Sequence, residues 1–208
     1  MDFREWEPIY ESILIDFGYN RKEDEHSANL LYSMAKKKCV DAQILRNKIH
    51  EKKVTICGAA ENLEGNIKKI DGTVIAADEA TSILMDEILP DIIVTDLDGN
   101  VDDQIIANGR DSVAVIHAHG DNVEAIKKYV PRFRGKIVLT TQSRPFDNVH
   151  NFGGFTDGDR AFFMAKHFGA KEIVLLGFDF EKPRQKEGKD TEIKRRKLRW
   201  AKKLIEGY

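Results

Sequence analysis

From Lys53 onward, short apolar runs alternate with amphipathic or loop segments, among them the helix-like pieces NLEGNIKKI, EATSILMDEIL and DNVEAIKKYV. Each run has about five residues and is apolar almost throughout, which is typical of strands covered on both faces. Alternation of this kind predicts βαβ units with right-handed crossovers. We therefore expect an α/β fold, with a mostly parallel, Rossmann-like open sheet of about six strands and helices on both faces. The six predicted strands are KVTIC (53–57), TVIAA (73–77), DIIVT (91–95), SVAVI (112–116), KIVLT (136–140) and EIVLL (172–176).

The first fifty residues carry no strand pattern. In FREWEPIYESILIDFGY and DEHSANLLYSMAKKKCVDAQILRNKIH the apolar residues recur at helical spacing. We predict a helical extension over residues 1–50 and an α/β catalytic-type domain over residues 51–208, which ends in a strongly basic helix. A homodimer that pairs the amphipathic N-terminal helices is compatible with this pattern.

The charge of the chain limits its partners. Lys and Arg number 33 against 35 Asp and Glu, and this formal net charge of −2 argues against nucleic acid or an anionic membrane as the main partner. No apolar run approaches the roughly 18 residues of a membrane span, and MDFREWEPIY is unlike a secretion signal. We expect a cytoplasmic protein with no membrane and no nucleic-acid partner. The alternative, a nucleic-acid module built on KRRKLRWAKK, is disfavoured because acidic residues lie in and near that run, as on a solvated helix face.

Gly58 is the first candidate at the predicted ligand-binding edge of the sheet. Ligands of open α/β sheets bind beyond the carboxyl ends of the strands, so the residues that follow each strand are the ones to inspect. Gly58 follows the first strand in CGAAEN, where backbone N–H groups could approach a phosphate at a helix N-terminus. The segment is neither G-x-G-x-x-G nor a Walker loop, which disfavours a dinucleotide site. A tight turn without a ligand is the alternative.

Carboxylates follow the second and third strands. Asp78 and Glu79 come after TVIAA, and Asp96 and Asp98 come after DIIVT. Residues i and i+2 of an extended chain point the same way, so Asp96 and Asp98 converge if the strand geometry persists to Asp98. Two close carboxylates repel each other unless a cation or a proton intervenes, and Mg²⁺ takes carboxylate and phosphate oxygens. The alternatives are a helix N-cap for the first pair and a solvated Asp-Gly turn for the second.

Histidines and polar residues follow the fourth and fifth strands. His117 and His119 alternate in HAHGDN and are followed by Asp121, which precedes a predicted helix. A two-histidine metal site competes here with packed or hydrogen-bonded histidines. Gln142 lies in TTQSRP, a polar, Pro-terminated segment that is a plausible ligand loop.

A glycine-rich loop, NFGGFTDGDRA, precedes the last predicted crossover helix. Backbone amides at Gly153 and Gly154 could surround a phosphate, and Arg160 could neutralise its charge. In the alternative interpretation the polar residues of this loop only cap the helix. Those residues are Thr156, Asp157 and Asp159.

The succession AADEA, PDIIVTDLDG and HAHGDN resembles the thiamin pyrophosphokinase pattern. That pattern has an Asp after the second strand, then P-D-x-(I/V)-x-G-D-x-D-S, then an acidic turn that opens a helix. The closer resemblance is to the archaeal 6-hydroxymethyl-7,8-dihydropterin pyrophosphokinase family, which shares that fold and which GGFTDGDRAFFMAKHFGAKEIVLLGFDF also resembles. The resemblance covers residues 50 to about 200. Thr95 and Gly99 stand where the thiamin enzymes carry Gly and Ser, which favours the pterin branch.

The resemblance implies a reaction and a set of roles. It implies transfer of the β,γ-diphosphate of ATP to the hydroxymethyl group of the pterin, with release of AMP and with Mg²⁺ as the cofactor. Asp96 and Asp98 would hold Mg²⁺ on ATP, and Asp78, as a third metal ligand, and Asp121 would complete the acidic cluster. His119 or Asp121 is the candidate base.

Further ligand contacts are expected from chemistry alone. The Gly-rich segments, Arg160 and basic residues of the tail could bind phosphates, and other side chains are suited to a heterocycle. The phosphate candidates are Gly58, Gly153, Gly154, Arg160, Lys194 and Lys197, and the heterocycle candidates are Gln142, Asn151, Phe152 and Phe155. The alternatives are a diphosphokinase for another alcohol, thiamin included, and a non-catalytic nucleotide or phosphosugar binder.

Overall fold

The computed structural model describes residues 1–182 and 190–207. The start of the predicted basic tail, residues 184–189, lies outside this part of the chain. The α-helices are α1 (Phe3–Phe17), α2 (Arg21–Ala35), α3 (Gln43–Ile49), α4 (Ala80–Leu84), α5 (Val101–Gly109), α6 (Val123–Tyr129), α7 (Asp157–His167) and α8 (Thr191–Glu206). The strands are β1 (Lys53–Cys57), β2 (Thr73–Ala77), β3 (Ile92–Thr95), β4 (Val113–Ala118), β5 (Ile137–Thr141), β6 (Val149–His150) and β7 (Glu172–Leu176). Among these described helices, none combines the length and the apolar character needed to cross a membrane.

The seven strands form one parallel sheet in the order β6-β5-β4-β3-β2-β1-β7. The predicted α/β class with a parallel, Rossmann-like sheet is therefore confirmed, with one strand more than the six expected. The additional strand, β6, is only two residues long. The predicted helix NLEGNIKKI is a 3₁₀ segment at Glu64–Lys69.

The order of the strands creates a switch point between β1 and β7. From β1 to β6 the chain moves steadily in one direction across the sheet, and it then returns to add β7 on the other side of β1. Val54 of β1 accordingly pairs with Thr73 of β2 on one side and with Ile173 of β7 on the other. Crevices at the carboxyl ends of such strands are the usual ligand sites of open α/β sheets.

Apolar side chains cover both faces of the sheet, as continuous apolar strands require. On one face α3 and α7 pack over Val54, Ile56 and Val115. On the other face α2 and α6 pack over Ala114 and Ile116, while α4 and the 3₁₀ segment cover the ends of β1 and β2.

The first three helices contribute to these layers. Helices α2 and α3 belong to the two main cores, and α1 packs on α7 and α8 through Trp6, Tyr10 and Ile13. Gly18, with a φ of 68°, ends α1, and Asn20 begins α2 by accepting a hydrogen bond from the Lys22 N–H. This short connection brings residues 19–24 to the carboxyl edge of the sheet. A domain boundary at residue 50 stays a prediction.

Candidate active site

A cavity of about 590 Å³ opens at the carboxyl edge of the sheet, where the switch point lies. The segments that follow β1, β2, β3, β4, β5 and β7 line it, together with the start of α7, the α1–α2 connection and one face of α8. Gly58 and Gly177 lie at the ends of β1 and β7 and both line this cavity. The structure therefore has a cavity at the edge of the sheet where the sequence predicts ligand binding.

Three carboxylates converge in this cavity. One oxygen from each of Asp78, Asp96 and Asp98 lies within 4.8 Å of the other two. Strand β3 ends at Thr95, and Leu97 has a left-handed φ of 68°, so the extended geometry on which the sequence argument depended does not persist to Asp98. The carboxylates meet nevertheless, because the turn at Leu97 keeps Asp98 beside Asp96.

Neighbouring side chains hold Asp78 in this cluster. Its Oδ1 accepts hydrogen bonds from Gln104 Nε2 at 2.9 Å and from the Thr95 hydroxyl at 3.3 Å. The same Thr95 oxygen accepts the Leu97 N–H at 2.9 Å. A Cβ atom on Gly99 would lie 2.5 Å from Asp78 Oδ2, so a side chain at position 99 would displace the carboxylate. The two positions that differ from the thiamin pattern, Thr95 and Gly99, thus both contact Asp78.

Asp96 is partly buried and fits a bound cation. Burial raises the pKa of its carboxyl, but the hydrogen bond from His119, with the positive charges of Arg160 and Lys197, outweighs burial, and the pKa is lowered. Asp96 is therefore an anion. Its Oδ2 lies 3.3 Å from His119 Nε2, whereas its buried Oδ1 has no hydrogen-bond partner among the described residues. A buried, ionised and unpartnered oxygen beside two further carboxylates is the donor set that Mg²⁺ prefers.

The two histidines of HAHGDN have different surroundings. His119 lines the cavity, its Nε2 faces Asp96 and its Nδ1 accepts the Asp121 N–H at 3.3 Å, so both ring nitrogens are engaged. His117 is buried and bonds Thr140 Oγ1 at 3.0 Å, and burial lowers the pKa of its ring well below the usual range. Asp121 lines the cavity with an exposed side chain.

Asn122, which the sequence analysis missed, forms hydrogen bonds that connect the ends of two strands. Its Nδ2 donates to the carbonyl oxygens of Asp96 at 2.8 Å and His117 at 2.7 Å. Its Oδ1 accepts the Ser27 hydroxyl and the His119 N–H, both at 3.1 Å. One buried amide thereby links the ends of β3 and β4 to α2. A single Asn before a helix carries no sequence signal for such a role beyond that of a cap.

Some polar residues of the loop before α7 cap that helix, and another of them lines the cavity. Thr156 is the N-cap, and Asp159 accepts the backbone N–H of Thr156 at 2.8 Å. Asp157 instead lines the cavity, paired with Arg160 at 3.0 Å. Burial, followed by the charge of Asp96, raises the pKa of Asp157 well above its ordinary value.

The predicted phosphate glycines have separate positions. Gly58 lines the cavity, as does Gly158. Gly153 and Gly154 have φ values of 85° and 93° and are buried outside the cavity lining formed by the described residues. A Cβ atom on Gly154 would lie 2.6 Å from Arg160 Cα, so this glycine allows the loop to pack closely against the start of α7. Its position indicates a structural role for the loop.

Gln142 connects the N-terminal helices to the site. Its Nε2 donates to Asp24 Oδ2 at 2.9 Å, and its carbonyl oxygen accepts Trp6 Nε1–H at 2.7 Å. Asp24, which is 3% exposed, also accepts the Tyr10 hydroxyl at 2.5 Å and the Gly120 N–H at 2.7 Å. Helical spacing alone gave no indication that α1 and α2 reach the site, because these contacts join residues far apart in sequence.

The remaining walls are aromatic and basic. Phe155, Phe178 and Phe180 line the cavity, and Lys194 and Lys197 of α8 do so from the side of that helix. Of the other heterocycle candidates, Phe152 packs on Phe168 in the core and Asn151 donates to the carbonyl oxygens of Gln142 and Ser143. Neither Phe152 nor Asn151 is among the described residues that line the cavity.

A comparison with known protein families identifies the chain. The model of the family described as 6-hydroxymethylpterin diphosphokinase MptE-like matches residues 26–185. The chain belongs to this family. The archaeal pterin pyrophosphokinase resemblance drawn from the sequence motifs is thereby confirmed.

Curated archaeal relatives in this family match nearly the whole chain. Three proteins named 6-hydroxymethyl-7,8-dihydropterin pyrophosphokinase are similar to it. The protein of Pyrococcus furiosus is 45% identical over 99% of this chain and 94% of its own length. Those of Methanothermobacter thermautotrophicus and Methanocaldococcus jannaschii are 40% and 38% identical, over 99% of this chain and 94% and 95% of theirs.

Two parts of the cavity lie outside the segment that the family model matches. The α1–α2 connection and the start of α2, up to Asp24, precede residue 26, and α8 follows residue 185. The three curated relatives nevertheless extend over both parts. The sequence similarity to these relatives therefore extends over the segments that form these walls.

Proposed function

We propose that this protein transfers the β,γ-diphosphate of ATP to the hydroxymethyl group of 6-hydroxymethyl-7,8-dihydropterin, releasing AMP, with Mg²⁺ as the cofactor. The proposal rests on family membership and on the names of the archaeal relatives, each a 6-hydroxymethyl-7,8-dihydropterin pyrophosphokinase. The observation that carries it is the cluster of Asp78, Asp96 and Asp98 in the cavity at the switch point of the sheet. Phosphoryl transfer requires such a cation site, because catalysis there is mainly positioning and charge stabilisation.

Asp78, Asp96 and Asp98 would hold Mg²⁺, which neutralises charge on the phosphate oxygens when it is bound. The protein itself contributes orientation. Gln104 and Thr95 fix the Asp78 carboxylate, and Asn122 fixes the strand ends. The ionised Asp96 is supported by its hydrogen bond from His119, so the cluster is ready for a cation before the nucleotide arrives.

Asp121 is the candidate that best suits a base for the substrate hydroxyl. Its exposed carboxylate lines the cavity, whereas both ring nitrogens of His119 already have hydrogen-bond partners. The planar pterin would pack against aromatic walls such as Phe178 and Phe180, which line the cavity and are partly exposed. Arg160, which is 7% exposed, is already paired with Asp157 at 3.0 Å and would contribute to the phosphate site only as part of that pair.

A substrate panel tests the proposal. Purified protein is incubated with ATP, Mg²⁺ and either 6-hydroxymethyl-7,8-dihydropterin or thiamin, and AMP is measured. AMP release that depends on the pterin is expected; release with thiamin alone would move the substrate assignment to the other branch. Binding of ATP without AMP release under either condition would indicate a non-catalytic nucleotide binder.

Asp96→Asn provides the matched test of the cluster. It is expected to abolish AMP release while circular dichroism remains that of the unchanged protein, because the substitution is isosteric. Turnover near the level of the unchanged protein would remove the carboxylate cluster from the reaction. The expectations of a cytoplasmic location, of small molecules as the sole partners and of a homodimer stay predictions.

A further inference from the structure

Helices α1 and α8, from opposite ends of the sequence, are joined through one carboxylate. Asp16 Oδ1 accepts Arg196 Nη2 at 3.0 Å, and Asp16 Oδ2 accepts Trp200 Nε1 at 2.8 Å. The Arg196 guanidinium also lies over the Phe17 ring, 4.6 Å from its centroid. Two directed hydrogen bonds and a stacked cation fix the rotation of α8 about its own axis.

That rotation turns one face of α8 into a wall of the cavity. The cavity-lining residues of α8 are Ile193, Lys194, Lys197, Leu198 and Ala201, a set with helical spacing. Leu204, on the next turn, packs with the α1 side chains. The helix therefore presents its lysines to the cavity because its other side is attached to α1.

Lys197 lines the same cavity as the carboxylate cluster. Its ammonium lies 5.7 Å from the centroid of the Phe155 ring. Its charge is among those that lower the pKa of Asp96, which places the ammonium within electrostatic reach of the cluster. Among the described residues, no carboxylate lies within 4 Å of its Nζ, so its charge is available for a ligand.

The charged residues that line the cavity are mostly acidic, so binding of a polyphosphate there needs a positively charged side chain such as that of Lys197. Among the described residues that line the cavity, ten are acidic and four are Lys or Arg. The acidic residues are Glu23, Asp24, Asp78, Glu79, Asp96, Asp98, Asp121, Asp157, Asp179 and Asp190, and the basic ones are Arg160, Lys182, Lys194 and Lys197. Arg160 is already paired with Asp157. A ligand with several negative charges needs a counter-charge on the side that faces away from the cluster as well as a cation within it.

We propose that Lys197 binds the β- and γ-phosphates of the nucleotide opposite the carboxylate cluster, and that Asp16 is a positioning residue that holds α8 so that Lys197 faces them. This inference rests on the proposed diphosphokinase function, since it assigns the phosphate contacts of the same site. It concerns segments outside the residues that the family model matches.

Equilibrium binding of MgATP and AMP tests the role of Lys197. Lys197→Ala is expected to weaken MgATP binding by about tenfold or more, as loss of a hydrogen bond between charged groups implies, and to change AMP binding by less than about twofold. Lys197→Arg should retain most of the affinity. Arg195→Ala removes one positive charge from the same helix, at an exposed position paired with Glu192, and should bind MgATP as the unchanged protein does.

Unchanged MgATP affinity in Lys197→Ala would overturn the assignment, as would an equal loss for MgATP and AMP, which would indicate general damage to the site. Binding is measured without the pterin, and the inference can therefore fail separately from the proposed reaction. Unchanged protein that binds MgATP through Lys197 but releases no AMP with the pterin would refute the reaction and leave the phosphate contact standing.

A double-mutant cycle tests the role of Asp16. Asp16→Ala should weaken MgATP binding through Lys197, so that adding it to Lys197→Ala produces little further loss. Asp16→Asn keeps one carbonyl acceptor and should retain part of the affinity. Hydrogen exchange in α8 should increase in Asp16→Ala. Fully additive effects of the two substitutions would show that Asp16 does not act through Lys197.

Discussion

A Cβ atom on Gly177 would lie 2.1 Å from the carbonyl oxygen of Gly58, and a Cβ atom on Gly58 would lie 2.6 Å from the carbonyl oxygen of Gly177. Each glycine therefore permits the other strand end to approach. Gly177 also has a φ of 70°, a conformation that other residues rarely adopt. The floor of the switch-point crevice depends on this pair of residues.

Gly177→Ala should consequently destabilise the fold and the site together. We expect the free energy of unfolding to fall by about 2 kcal/mol or more, because both the contact and the backbone angle become strained. Urea denaturation measures the change. Gly65→Ala is the control, since nothing lies within 4 Å of a Cβ atom there; equal stability of the two variants would contradict the role of the pair.

Asp98→Asn should remove the stabilisation that Mg²⁺ gives to the protein. A bound ion stabilises the folded state by RT ln(1 + c/Kd), where c is the Mg²⁺ concentration, and so raises the melting temperature as Mg²⁺ increases, and Asp98 supplies one of the three converging oxygens. Melting curves at increasing MgCl₂ measure the effect. Asp86→Asn makes the same chemical change at an exposed position outside the cluster and should respond to Mg²⁺ as the unchanged protein does. A normal Mg²⁺ response in Asp98→Asn would argue against the metal site.

Asn122→Ala should be one of the more destabilising polar-to-Ala substitutions in the protein. It leaves the buried carbonyl oxygens of Asp96 and His117 without their donor, and we expect a loss of about 2–4 kcal/mol. Asn29→Ala, at an exposed position of α2, provides the control and should stay within about 0.5 kcal/mol. Chemical denaturation distinguishes the two outcomes, and a small loss in Asn122→Ala would show that water replaces its amide.

Because of the buried thiol of Cys57, the free energy of unfolding should fall at alkaline pH. Burial raises the pKa of Cys57 from 9.0 to about 12. Below pH 9 both the folded and the unfolded thiol are protonated, so the contribution of the thiol is fully present. As the pH rises from about 9 towards 12, the unfolded state alone loses the proton, and stability falls by about 1.4 kcal/mol per pH unit.

Cys57→Ala tests this in a background that already carries Cys39→Ala, so that a single thiol differs. The protein with Cys57 should lose stability more steeply between pH 9 and 11 than the protein without it. Urea denaturation at stepped pH measures both slopes. Parallel slopes would mean that the Cys57 thiol is not held neutral by burial.

The strands were largely predictable because each is a local apolar run. KVTIC, TVIAA and EIVLL coincide with β1, β2 and β7, and the other three predicted runs differ from their strands by one or two residues at one or both ends. β6 was missed because two residues give no periodicity to detect. The sequence of Glu64–Lys69 predicts an α-helix rather than the observed 3₁₀ segment, because six residues do not distinguish three residues per turn from 3.6.

The site was only partly predictable. Asp96 and Asp98 were found from their position after a strand, and Asp78 from the preceding strand end, since parallel strands deliver their carboxyl ends to one edge. Asp24, Asn122 and Asp16 were not found. Their roles come from hydrogen bonds over long sequence separations, such as the 96 residues between Asp24 and Gly120, and no local pattern encodes such a contact.

The Asp16–Arg196 contact has a consequence for biosynthesis. Its two residues are 180 positions apart, and at about 5–20 residues per second the ribosome needs roughly 10 to 40 s to make the intervening chain. During that interval the apolar side of α1, with Trp6, Tyr10 and Ile13, waits without α8 to cover it. The nascent protein thus acquires its last cavity wall only when translation has passed α8, and until then the α1 side chains lack the cover that Leu204 and Trp200 give them.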